Sequence, residues 1–89
     1  MKWIANVFVG DIKHGRHESL IFPADSMSNA AREAARLMAL RLYGDIGQPS
    51  FVNQVGDQPL FKANVGVYIG KGVTQGKSLS ILLREYRGI

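Results

Sequence analysis

An alanine-rich stripe is the feature that most constrains the fold of this chain. Between residues 26 and 43, small and apolar residues recur at helical spacing: Met27, Ala31, Ala34, Ala35, Met38 and Leu42. Ser26 or Ser28 is suited to cap the start of this helix. Gly44 is suited to follow its end as the C′ residue, because glycine adopts the left-handed conformation without a steric penalty. Since an alanine-lined face lets a helix lie close to a sheet, the stripe predicts one helix packed on one side of the strands.

Three larger residues flank this stripe. Arg41 is expected to extend past the edge of the core and keep its charge in water. Leu37 and Leu40 lie beside Glu33 and Arg36, and they either widen the buried face or contact a partner. The sequence leaves both alternatives open.

Segments with strand character surround the helix. Residues 2–9 and 19–22 predict a hairpin with a basic tip, and Pro23 ends its second strand or places it at a sheet edge. Residues 50–55 predict a third strand, and residues 61–69, which alternate most clearly, predict a fourth with one face in the core. Residues 79–87 indicate a fifth strand, with a short helix as the alternative. The prediction is an α+β fold: one α-helix packed on a mostly antiparallel sheet, in the order ββαβββ, in a single small domain over residues 1–89.

The stretch GKGVTQGKS, residues 70–78, invites comparison with the phosphate-binding loop of nucleotide-binding enzymes. That loop needs a glycine five positions before its Gly-Lys-Ser/Thr, but the residue five before Gly76 is Lys71. A phosphate loop is also followed by a helix, whereas a strand is predicted here. We therefore interpret these glycines as a flexible loop that joins two antiparallel strands.

Composition narrows the class of protein. The chain has 46% hydrophobic and 20% charged residues and no cysteine, so we expect a folded domain with neither disulfides nor thiolate zinc sites. The net charge of +4 fits either a solubilising surface or a patch that attracts an acidic partner. No signal peptide or membrane span is predicted, and a cytoplasmic location is the default.

The residues that could support catalysis are few. His14 and His17 lie together in the predicted first turn, where they are expected to be solvated rather than to hold a metal. The seven carboxylates are scattered, and no Ser-His-Asp signature occurs. The sequence therefore predicts a protein that is not an enzyme and that needs no cofactor or metal.

A binding surface is easier to support. The outward face of the predicted sheet interleaves basic and aromatic residues, and the glycine-rich loop adds two lysines; the candidate site comprises Lys62, Tyr68, Lys71, Lys77, Arg84 and Tyr86. Asn64 and Ser80 share the outward face. Sheets of this kind bind single-stranded nucleic acid when rings stack on bases. The alternative is a solvated sheet face stabilised by cross-strand pairs, since the RNA-recognition motif is absent from residues 62–68.

The layout of residues 20–44, a short strand, then Ala24-Asp25-Ser26, then an alanine-rich helix followed by strands, resembles that of several small phage-encoded anti-CRISPR proteins. The resemblance implies a non-enzymatic viral inhibitor whose partner is a host protein or ribonucleoprotein complex of the CRISPR nuclease type. Many members of that group are acidic mimics of nucleic acid. This chain is basic, which argues against mimicry and for occlusion of a surface.

Three hypotheses follow. The first is a small binding or inhibitor protein that acts by protein contact. The second is a nucleic-acid-binding domain that uses the basic sheet face and the glycine-rich loop. The third is a small structural subunit that pairs its open sheet edges with other copies, so a homodimer is possible.

Overall fold

The computed structural model describes residues 1–10, 16–42 and 44–87. Within them one helix packs on an antiparallel sheet, which confirms the predicted α+β class. The elements are β1 (Lys2–Val9), β2 (Arg16–Pro23), α1 (Met27–Arg41), β3 (Gly44–Ile46), β4 (Ser50–Val55), β5 (Gln58–Gly70) and β6 (Val73–Tyr86). The sheet runs β2-β1-β6-β5, and β3 and β4 both pair with β5 along its outer side.

The helix begins as predicted and ends earlier. Ser26 caps it, since its hydroxyl accepts a hydrogen bond of 3.2 Å from the Asn29 backbone N–H. The buried face comprises Ala30, Ala31, Ala34, Ala35, Met38 and Ala39, whereas Met27 is 41% exposed at the helix start. Leu37 packs against the core and so widens the buried face, and Leu40 is 60% exposed.

Gly44 does not serve as the C′ residue that the sequence suggested. It is the first residue of β3, a short strand that the sequence did not predict. A Cβ atom on Gly44 would lie 2.5 Å from the Gly66 carbonyl oxygen. Glycine is therefore required here by the close approach of two strands, and not by a left-handed helix end.

The core lies between α1 and one face of the sheet. Alternate residues of the four long strands supply its sheet side: Ala5, Val7, Val9, Leu20, Phe22, Phe61, Ala63, Val65, Leu79, Ile81 and Leu83. Trp3 closes one end, where its indole N–H donates to the Ala24 carbonyl at 3.2 Å. Arg41 extends past the core edge as predicted, and it donates to the Glu18 carboxylate on β2 at 2.9 Å. The helix is thus tied to the strand at one edge of the sheet.

The glycine-rich stretch forms part of a long hairpin instead of a flexible loop. β5 continues to Gly70, β6 begins at Val73, and the two-residue turn between them has positive φ at Lys71 (38°) and Gly72 (77°). Two positive φ values fit the tight turn whose twist matches that of the strands it joins. Strand β6 also excludes the helical alternative for residues 79–87.

The end of this hairpin extends beyond its neighbours. β1 pairs with β6 only as far as Leu79, and β3 pairs with β5 only as far as Val67. Residues 65–77, which we call the arm, form the end of the hairpin, where β5 and β6 pair with each other, and beyond Val67 no other described strand pairs with it. No helix in the described ranges is long and apolar enough to cross a membrane.

Candidate binding surfaces

The sheet face away from α1, which we call the helix-free face, carries more apolar side chains than the sequence suggested. Cross-strand register places one group of apolar side chains on it: Ile4, Phe8, Ile21, Leu60 and Leu82. Ile4 lies opposite Ile21 on one side and Arg84 on the other, and Leu60 lies opposite Leu82. Residues directly opposite each other in antiparallel strands share a face. Four strands thus contribute to one apolar patch.

This patch has no second layer over it among the described elements. Ile21 is 57% exposed, Ile4, Phe8 and Leu82 are partly buried, and Leu60 is buried by its neighbours. A sheet normally hides an apolar face under a helix or another sheet. Exposed apolar side chains grouped on one face are accordingly a feature of interaction surfaces.

A small polar network lies among these apolar residues, because Asn6 separates Ile4 from Phe8 along β1 and lies opposite Leu82 of β6. The His17 ring stacks on Phe8, with centroids 4.5 Å apart and planes 14° apart. Its Nε2 lies 3.3 Å from the Asn6 side-chain oxygen, which also accepts a hydrogen bond of 2.7 Å from the Ser19 hydroxyl. His17 is therefore held by a ring and an amide. His14 lies outside the described residues, and the described residues contain no cluster of His, Asp and Glu suited to a metal ion.

Two exposed cations lie on the same face as the patch. Lys62 and Arg84 are exposed on the helix-free face, and neither forms an ion pair with a described residue. Residues 58–84 carry four cations and no acid, so this segment carries a charge equal to the net +4 of the chain. A surface of this kind complements a partner that is apolar at its centre and acidic around it.

The predicted site residues do not converge on one spot. Lys62, Tyr68, Arg84 and Tyr86 share the helix-free face, as the alternation predicted. Tyr68 and Tyr86 are nevertheless separated by about 40 Å along the sheet, at ~3.4 Å per residue. No small ligand could contact both.

The remaining predicted positions differ from expectation. Lys77 lies opposite Val65, and so on the helix side of the sheet, while Lys71 lies in the turn of the arm. Ser80, predicted to face outward, is on the helix-free face but only 3% exposed, because it lies among longer neighbours such as Phe8 and Lys62. The predicted site is therefore divided between the sheet face and the arm.

Tyr68 connects the arm to β3. Its hydroxyl donates to Asp45 Oδ2 at 2.6 Å, and both residues are exposed. The hydrogen bond to the Asp45 carboxylate, reinforced by its negative charge, raises the pKa of Tyr68 above its usual value. This tyrosine is engaged within the protein and is less free to stack on a base than the sequence suggested.

Two depressions lie in the described part of the surface. One of about 380 Å³ lies beside the β3–β4 connection and contains Lys62 as its single ionisable side chain. Another of about 270 Å³, at the end of β6, is lined by Arg84, Glu85 and Arg87 and is open to solvent. Neither of these two combines a nucleophile with a base oriented toward it.

The chain matches no protein-family model, and searches of curated proteins and of solved structures found no similar protein. The anti-CRISPR resemblance therefore stays a prediction from layout.

Alternation predicted the cations of the helix-free face, whereas the apolar side chains of this face were not predicted. Within residues 2–9, Ile4 and Phe8 are apolar at one parity, and Ala5, Val7 and Val9 are apolar at the other. Apolar residues at both parities are typical of a strand covered on both sides. This pattern in residues 2–9 could have predicted apolar side chains on both faces of β1.

Proposed function

We propose that this protein is a non-enzymatic binding domain that attaches to a protein partner through the helix-free face. The observation that carries the proposal is the patch of five apolar side chains with no second layer among the described elements. A cytoplasmic location is part of this proposal, and so is the independence from cofactors and metals.

The side chains on this face favour a protein over a nucleic acid. Four of the five apolar residues are aliphatic, and the one ring among them, Phe8, is already stacked on His17. Bases are bound on open sheets by exposed rings, whereas aliphatic patches bordered by cations complement apolar and acidic protein surfaces. Lys62 and Arg84 would then orient the partner and accelerate its association.

Within this proposal the more specific role is inhibition. The layout of residues 20–44 supports a viral inhibitor that covers a surface of a host CRISPR-type nuclease complex. The uncovered apolar face supplies a physical means of occlusion, since it gains free energy by being buried. A nuclease assay with a reconstituted complex tests this role: loss of target cleavage with added protein supports it, and unchanged cleavage rejects inhibition for that complex.

The binding face can be tested with a matched pair of variants. Ile21 on β2 and Leu40 on α1 are aliphatic, 57% and 60% exposed, and on opposite sides of the molecule. We expect Ile21→Glu to abolish capture of the partner from a host extract and Leu40→Glu to leave it unchanged. Arg84→Glu should weaken capture roughly tenfold by removing charge complementarity. If Leu40→Glu abolished capture and Ile21→Glu did not, the binding surface would lie on α1 and not on the helix-free face.

A second candidate function is favoured by the arm. It is a two-stranded ribbon with Lys71 and Lys77 and no acid, and a ribbon of this width enters the major groove of duplex DNA. Fluorescence anisotropy with labelled single-stranded and duplex DNA and RNA, at low and at physiological salt, tests it. Binding that falls steeply with salt, with a slope reduced by about two in a Lys71→Ala/Lys77→Ala variant, supports this function. Arg32→Ala on the helix is the control, and no binding at low salt rejects the function.

A further inference from the structure

We propose that two copies of this chain associate by pairing β4 with β4 across a two-fold axis, which extends the antiparallel sheet through both copies. The inference concerns the edge of the sheet and is independent of the function proposed for its helix-free face. The strand that pairs with the β4 edge is β4 of a second copy of this chain.

The two outer edges of the sheet differ in their protection. β2 carries Arg16, His17 and Glu18 and ends in Pro23, features that discourage pairing with another strand. β4 has the sequence SFVNQV, without charge or proline, and all six of its residues are exposed. Phe51, Val52 and Val55 are 47–56% exposed. An edge strand of high β propensity with no charged residue is a template for strand addition.

The charges that flank β4 favour a second copy over an unrelated strand. At the start of β4, Ser50 lies opposite Lys62 of β5. At its end, Val55 leads into the turn that contains Asp57. Antiparallel two-fold pairing places the start of one β4 beside the end of the other, so Lys62 of each copy approaches Asp57 of the second copy. Neither residue has an ion-pair partner among the described residues.

The two-fold arrangement also keeps each face of β4 continuous with the same face of the second copy. Phe51 lies opposite Phe61 on the helix side and Val55 lies opposite Gln58 on the helix-free side, so each side of the new strand pair carries one of these apolar residues from each copy. Val52 is the extra residue of a β-bulge, between Phe51 paired with Phe61 and Asn53 paired with Leu60. Bulges increase the local twist of a strand, and two identical bulged strands have the same twist.

The expected association is weak and depends on concentration. Six paired residues extend over about 20 Å, and we expect one strand pair of this length to bury less surface than the ~1,200 Å² typical of stable complexes. A dissociation constant in the micromolar range is therefore expected.

Sedimentation equilibrium over a concentration series tests the proposal. The wild-type mass should rise from 9.8 kDa toward twice that value. Val52→Glu should remain monomeric, because the two introduced carboxylates would be brought close together at the new strand pair. Ile21→Glu, on the opposite edge strand, should associate like the wild type. A monomeric wild-type protein at millimolar concentration, or loss of association with Ile21→Glu and not with Val52→Glu, overturns the proposal.

A charge exchange tests the orientation of the two copies. Lys62→Asp and Asp57→Lys should each weaken association roughly tenfold, since each replaces two attractive pairs by two repulsive ones. The double variant should recover most of the wild-type association. No recovery would overturn the two-fold register. Partner capture by Val52→Glu separates this inference from the proposed function, because that variant keeps the helix-free face intact.

Discussion

The two faces of the sheet both carry apolar side chains, but only one of them is covered by the helix. On the helix side, Leu79, Ile81 and Leu83 are fully buried beneath α1. On the helix-free side, the neighbouring residue Leu82 is only partly buried, and Ile21 is more than half exposed. One face has therefore already gained the free energy of burial, whereas the other still has apolar area that a partner could remove from water. The difference separates residues needed for folding from residues available for binding.

The largest expected effect compares two adjacent residues of β6. Ile81→Ala should destabilise the protein by about 3 kcal/mol, because it leaves a cavity beneath the helix. Leu82→Ala, on the helix-free face, should cost about 1 kcal/mol, since its side chain is only partly removed from water. Urea denaturation with a common slope measures both values. Equal losses would contradict the contrast between a covered and an uncovered face.

The next prediction tests how closely α1 packs on the sheet. Ala34 is fully buried on α1, and Ala34→Met should cost about 2 kcal/mol because the added atoms push the helix away from the sheet. Leu40→Ala on the exposed side of the same helix serves as the control and should change stability by less than about 0.5 kcal/mol. Thermal and urea unfolding check both. A stable Ala34→Met variant would indicate space beneath the helix that the structure does not contain.

A smaller effect concerns Glu18 on β2, which forms ion pairs with Arg41 of α1 and with Arg16 of its own strand. Burial alone would raise the pKa of Glu18, but hydrogen bonds from Arg16 and Arg41 and their positive charges outweigh it, so the pKa is lowered. A lowered pKa stabilises the fold fully above the usual value for glutamate, and this contribution is lost as pH falls through the folded-state value. Because both arginines are half exposed, Glu18→Gln should cost only about 0.5 kcal/mol at neutral pH.

The measurement for Glu18 is urea unfolding between pH 3 and pH 7, with both proteins compared at each pH. The stability difference between wild type and Glu18→Gln should shrink on acidification. A difference that is constant across this range would mean that the carboxylate charge does not contribute to holding the helix to β2.

The smallest effect lies on the arm. The Asp45 carboxylate raises the pKa of Tyr68, so the hydrogen bond is present below the usual tyrosine value and is lost as pH rises through the folded-state value. Tyr68→Phe should leave stability near neutral pH almost unchanged, because both groups are exposed. In a titration followed by tyrosinate absorbance, the step above the usual tyrosine value should disappear in this variant. Persistence of that step would assign it to another tyrosine.

Most of the secondary structure was predictable because its signals are local. The alanine stripe predicted α1, Ser26 predicted its start, and alternation in residues 61–69 predicted which side chains of β5 face the core. Residues 70–78 were predicted as a flexible loop and not as strand, because three glycines lie close together there. In the structure Gly72 permits the tight turn, while Gly76 pairs with Gly66 inside the ribbon. Pairing with a neighbouring strand overrides weak local propensity.

The candidate surfaces depend more strongly on long-range contacts. Lys62 and Arg84 were correctly placed on one face because alternation fixes side-chain direction. Their relation to Ile4 and Ile21 was not predictable, since it requires the knowledge that β1 lies between β2 and β6. The exposure of β4 likewise follows from its position outside β5, and nothing in SFVNQV alone distinguishes an edge strand from a central one.

The sequence by itself determined the class of the fold, the start and the buried stripe of the helix, the parity of the long strands and the positive charge of residues 58–84. These properties follow from side-chain chemistry within a few residues. Only the tertiary structure decided that α1 covers one face and leaves the other open, that Gly44 meets Gly66, and that β4 forms an uncharged edge. Those outcomes depend on which strands become neighbours, and strand neighbours are chosen by the packing of the whole chain.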